Sequence, residues 1–166
     1  MGERALSKER AEAVTQRSTL SDGTKCFRVS KFTQLVTPLA AGVVLVTGIG
    51  YNSGACAPLI TEEIGRAIPT DGKLVSFVNL SQQTGQASVT REWWAAWVKE
   101  HRPQLEGAHM LVRSRLMDMA ISVLGMMLGG VIHSYSEPAA FEAAIRERVP
   151  SFRGLPAFAD LPPLLD

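Results

Sequence analysis

An excess of either charge is missing from this chain. Seventeen Lys and Arg stand against 16 Asp and Glu over 166 residues, a formal net charge of +1. Without a basic surplus there is no field to hold a polyanion, so nucleic acid is not expected as a partner. Cysteine is scarce. Cys26 and Cys56 are far apart and show no zinc spacing, and a domain of this size buries a core without metal or disulfide staples. No apolar signal-peptide core opens the sequence, which makes a reducing cytoplasm the expected compartment. Leu6 stands where a myristoylation signal needs Ser or Thr. A membrane span needs about 20 predominantly apolar residues. Residues 116–132 are the nearest approach, but they carry Asp118 and three glycines. They read as a buried helix followed by a strand. No internal repeat is present.

The residue patterns of catalysis are sparse as well. His101, His109 and His133 are not paired at ligand spacing, and no metal or cofactor is expected. Nucleophile-elbow and catalytic-cysteine contexts are absent. Residues 48–54 form a glycine-rich stretch, but Ser53 occupies the slot of the third glycine of a dinucleotide fingerprint. No Lys-Ser or Lys-Thr pair follows for a phosphate loop. The stretch is therefore read as a turn. A small enzyme with its site at that turn is the weakest of three functional readings.

What remains is ordinary globular composition, 46% hydrophobic and 20% charged, with an alternating pattern of elements. Residues 1–25 read as a polar leader, 26–149 as one domain, and 150–166 as a Pro-rich tail whose Phe152, Leu155, Phe158 and Leu161 suit a groove on the domain. Residues 26–31 alternate as an edge strand. Val43, Val44, Leu45, Val46 and Thr47 make a continuous run suited to a strand covered on both faces. Pro58 opens a helix in which Ile60, Ile64 and Ala67 recur at helical spacing. Residues 74–80 read as a strand, 81–87 as a polar loop, and 88–101 as a helix. A strand at 108–112, a Met-rich helix at 116–128, a strand at 131–135 and a last helix after Ser136 follow. The Gly129-Gly130 pair ends the Met-rich helix, and Ser136 is placed as the cap of the last one. Repeated strand–helix alternation implies right-handed crossovers and a mostly parallel sheet of about five strands with four helices.

Several segments resemble the STAS domain, the anti-anti-sigma-factor-like family with its lipid-binding, CRAL-TRIO-like relatives. Val44 to Ile49 followed by Ala57-Pro58-Leu59 is similar to that family's strand, glycine turn and first helix. Asn79-Leu80-Ser81 stands where the family often has Asp-Leu-Ser. Tyr135-Ser136-Glu137 through Ala140-Phe141 resembles its closing strand and final helix. The resemblance covers about residues 26–149, most of the chain. It implies a non-enzymatic regulatory module that binds a protein partner. Bacterial members bind an anti-sigma kinase or sit in signalling assemblies. Their switch is a serine at the start of the second helix in an Asp-Ser-x-Gly context. Ser88 falls at that serine, with Ala87 in place of Asp and Thr90 in place of Gly.

Ser88 is thus the candidate phosphorylation site, and its plainer reading is a helix cap, shared with Thr90. Trp93, Trp94 and Trp97 are the most unusual feature. Two share a helix face and the third lies about 100° away, too wide an aromatic surface to be wholly buried. Ser88, Thr90, Trp93, Trp94 and Trp97 form the candidate partner-binding surface. The alternative is a carrier or sensor of an apolar small molecule or lipid, with a pocket between Trp97 and Met117, Met126 and Met127. The partner's identity stays open, and a homodimer is a further alternative.

Overall fold

A computed structural model describes residues 16–157. Seven strands form one sheet in strict chain order: β1 Gln16–Thr19, β2 Lys25–Val29, β3 Phe32–Ala40, β4 Val43–Asn52, β5 Leu74–Gln86, β6 Leu105–Leu111 and β7 Ile132–Tyr135. The first four pair antiparallel and the last four parallel. Among the described residues, four α-helices accompany them: α1 Ala57–Arg66, α2 Ser88–His101, α3 Arg115–Met127 and α4 Pro138–Arg148. The mixed α/β architecture stands as expected, with seven strands in place of about five.

The two additional strands lie at the N-terminal side. Gln16–Thr19 is fully exposed and pairs with β2, so residues expected in the leader join the sheet. Residues 1–15 lie outside the described part of the chain. β3 is buried from Phe32 to Val36 on both faces, which removes the alternation that marks a half-buried strand. Its hairpin with β2 turns at Ser30, at φ 46°.

Sequential order fixes the layers. Right-handed crossovers between successive parallel neighbours put every connecting helix on the same face. α1 packs there through Ile60 and Ile64, over Phe27, Phe32, Val44 and Val46, with Trp94, Trp97 and Leu128 against the same core. α4 comes after the last strand and closes the opposite face, where Phe141 and Ile145 meet Leu45, Phe77 and Leu111. Phe152 and Leu155 of the tail pack on this second core. Phe158 and Leu161 lie outside the described residues.

Two loops expected from the sequence are strand instead. β4 runs on through Gly48, Gly50 and Tyr51, and β5 through residues 81–86, the two staying paired as far as Asn52 and Gln86. Glycine is required at position 50. It sits at φ 90°, and a β-carbon there would lie 2.1 Å from the Lys31 carbonyl oxygen.

Candidate functional site

The start of α2 is tied to the end of β4 by one residue. The Asn52 side-chain oxygen accepts from the Gly54 amide at 2.9 Å. Its main-chain oxygen accepts from the Ala87 amide at 2.9 Å and from the Thr90 hydroxyl at 3.3 Å. Gly54 lies against that hydroxyl. Thr90 is fully buried, so its side chain belongs to the joint and is not offered to a partner. The joint has no local signal in the sequence, because Asn52 and Thr90 are 38 positions apart.

This joint presents Ser88 as the first, exposed residue of α2. The cap reading of Ser88 does not hold. Ala87 occupies the N-cap position and no side chain caps the helix, Thr90 included, since the Thr90 hydroxyl points back to β4. The same applies at α4, where Glu137 replaces Ser136 at the N-cap, again with no side-chain bond. Tyr51, one residue before the joint, is 52% exposed with its ring over Gly85. It adds an aromatic to this end of the sheet that the turn reading of residues 48–54 concealed.

All three tryptophans are half-buried. Trp94 and Trp97 pack edge to face with centroids 6.1 Å apart and rest on the α1-side core. Trp97 stacks on His101 at 4.3 Å, and the His101 Nδ1–H donates to the Trp97 carbonyl at 2.9 Å. The Trp93 indole N–H is enclosed without an acceptor. Folding therefore buries part of each tryptophan and leaves part of each accessible to solvent.

Trp97, Met117, Met126 and Met127, expected to line one pocket, line neither of the two hollows described here. Met126 and Met127 project from α3 into solvent, and the buried face of that helix is Ile121 and Gly125. Two hollows lie elsewhere. One, of about 380 Å³, sits at the carboxyl end of β6 and is lined by Asn79, Ser81, Arg113, Ser136 and Glu142, the place where open α/β sheets hold ligands. Its polar groups are largely engaged with one another and with nearby chain. Ser81 donates to Asn79 at 2.7 Å, and Glu142 takes the Leu155 amide and Arg146. The other, of about 310 Å³, lies between β1, β2 and α1, with Arg17, Lys25, Glu62 and Arg66 in its wall.

His109 lies within a stack of rings at the edge of the sheet. It stacks between Phe77 at 4.7 Å and His133 at 4.9 Å, with Nδ1 2.8 Å from the Tyr135 hydroxyl. Burial, then the neighbouring His133 and Arg148, push it down from 6.5 to about 4. Among the described residues, no cluster of three or more His, Cys, Asp or Glu could hold a metal ion. No helix among them is long and apolar enough to cross a membrane.

No family model matches the chain, and no curated protein matches it in sequence. Solved structures do match in shape. SpoIIAA, an anti-sigma factor antagonist in its unphosphorylated form, superposes with a TM-score of 0.55 at 14% identity, over 72% of this chain and 99% of its own. An anti-sigma factor antagonist from Mycobacterium paratuberculosis gives 0.50 at 20% identity, over 78% and 99%. A protein of the DUF3478 family from Shewanella loihica PV-4, uncharacterized and described as having a SpoIIAA-like fold, gives 0.52 at 10%, over 70% and 95%. The chain has the SpoIIAA-like fold, which is the fold of the STAS domain.

Proposed function

We propose that the protein is a non-enzymatic regulatory module that docks a protein partner through α2. The observation that carries this reading is aromatic surface left over from folding. Trp93, Trp94 and Trp97 each stay partly accessible, with Ser88 exposed at the start of the same helix and Tyr51 exposed near the end of β4. Tryptophan and tyrosine dominate interface energetics because they desolvate large area at little conformational cost. The shape shared with anti-sigma factor antagonists supports the same reading. Ser88 lies in the first turn of a helix with no side-chain cap, where a phosphate would be favoured by the free amides and the helix dipole.

The test uses exposed positions, so that the fold is not at stake. Glu92 and Ala96 are exposed on α2 between the indoles. Partners captured from the native host by the full chain are compared with those of the Glu92→Arg/Ala96→Arg variant. Loss of tenfold or more in affinity for a specific partner, with an unchanged thermal melt, is expected, because a charge forced into an apolar contact costs more than about 1.4 kcal/mol. Equal capture by both chains rejects docking through α2. Ser88→Asp tests the switch separately, by a change in that same affinity.

A further inference from the structure

We propose that α3 is the seam of a homodimer, pairing antiparallel with α3 of a second copy. Leu116, Met119, Val123, Met126 and Met127 are 78%, 67%, 53%, 74% and 78% exposed. Their spacing of three, four, three and four from the preceding anchor puts them on one stripe, the outer counterpart of the Ile121 and Gly125 face that meets the sheet. Ala120 and Ser122, both small and exposed, flank the stripe and let a second helix approach closely. A helix apolar on both faces is not finished by its own domain.

Three features select a second copy as the occupant. Antiparallel pairing centred on Val123 sets that residue against its own copy and Met119 against the second copy's Met127, both being four residues from the centre. An isologous contact requires each side chain to meet its mirror position. The area also fits. The five side chains expose on the order of 600 Å² per copy, so a pair would remove about 1,200 Å², the lower bound of a specific interface. Finally, charge chooses the direction. Arg115 opens the helix, and its last turn carries no basic residue of its own. Antiparallel pairing sets each Arg115 beside the carbonyl end of the other helix, whereas parallel pairing would bring the two copies of Arg115 together.

Sedimentation equilibrium of the full chain decides the matter. At about 100 µM, above a dissociation constant of about 1–10 µM expected for so small an interface, the chain should sediment at twice 18.0 kDa. The Met119→Lys/Val123→Lys variant changes only exposed positions. With two lysines per copy forced into the seam, it should be weakened at least about 1,000-fold and sediment largely as a monomer at the same concentration, with its circular dichroism and melting intact. A wild-type monomer at that concentration overturns the proposal. So does a dimer that the variant leaves unchanged. Vesicles of neutral and anionic phospholipid provide the remaining arm: a monomeric wild type that binds them, and a variant that does not, would assign the stripe to a membrane surface and overturn the dimer. Because α2 contributes no residue to this stripe, its failure and the failure of partner docking are read separately.

Discussion

Acidification should destabilise this protein through one side chain. His109 is neutral in the folded state. Its ring lies between Phe77 and His133, its Nδ1 meets the Tyr135 hydroxyl, and Arg148, itself paired with Glu106, faces the same region. In the unfolded chain it titrates near 6.5, and in the fold near 4. The unfolded state therefore binds the extra proton between those values, and stability falls as pH falls. The contribution is complete above 6.5 and is lost on approach to about 4. The full difference corresponds to a ceiling of about 3 kcal/mol. The ring is only half-buried, so solvent screening leaves about 1–2 kcal/mol between pH 7 and pH 4.5. Urea denaturation of wild type and His109→Phe, at pH 7, 5.5 and 4.5, isolates this share. Phe keeps the stacking, and loss of the tyrosine contact is a constant offset at every pH. Wild type should lose about 1–2 kcal/mol more than the variant over that range, about half of it below pH 5.5. Parallel stability curves for the two proteins would refute the argument that this ring is held neutral by its surroundings.

Two further outcomes follow from packing. Gly50→Ala drives a β-carbon into the Lys31 carbonyl in a left-handed backbone and should cost at least about 3 kcal/mol in denaturant stability, whereas Gly65→Ala, with open space around it in α1, should add about 0.5–1 kcal/mol; equal effects would dismiss the contact. Cys56 is fully buried, and burial followed by the proximity of Cys26 pushes its thiol up to about 12. Both thiols should therefore resist Ellman's reagent in the native protein and react only at the rate of unfolding, and labelling within the mixing time would contradict that burial.

The parts of the fold that were legible in the sequence are those whose pattern is local. The run from Val43 to Thr47 reads as a strand covered on both faces, and it is the centre of the sheet. The Gly129-Gly130 pair ends α3 with both glycines at positive φ, as a left-handed helix stop requires. β3 was hidden by the same burial that makes it central. With both faces covered it has no alternation, Pro38 breaks its sequence, and its hairpin turns on Ser30-Lys31 without an Asn-Gly signal. The far half of β5 reads as a loop because Ser, Gln, Thr and Gly have low strand propensity; pairing with β4 overrides that preference.

The site divides in the same way. Three tryptophans within five positions announce themselves, but the joint that aims their helix does not, since Asn52 and Thr90 meet only after β4 and β5 are in register. The methionines were misplaced for a geometric reason. Apolar residues at helical spacing are usually core, and α3 does have a core face, but it has an apolar outer face too. Sequential strand order explains which face is left over. The right-handed crossovers lay α1, α2 and α3 side by side on one surface of the sheet, and α3, lying against the edge strand β7, is the outermost of them. Its inner side is consumed by Ile132, against which Gly125 fits closely. Nothing later in the described chain passes over its outer side, because α4 has crossed to the opposite face. An outer helix in that position has no packing reason to carry Leu116, Met119, Val123, Met126 and Met127 in one stripe, and each such side chain adds exposed apolar area that a solitary domain gains nothing by keeping.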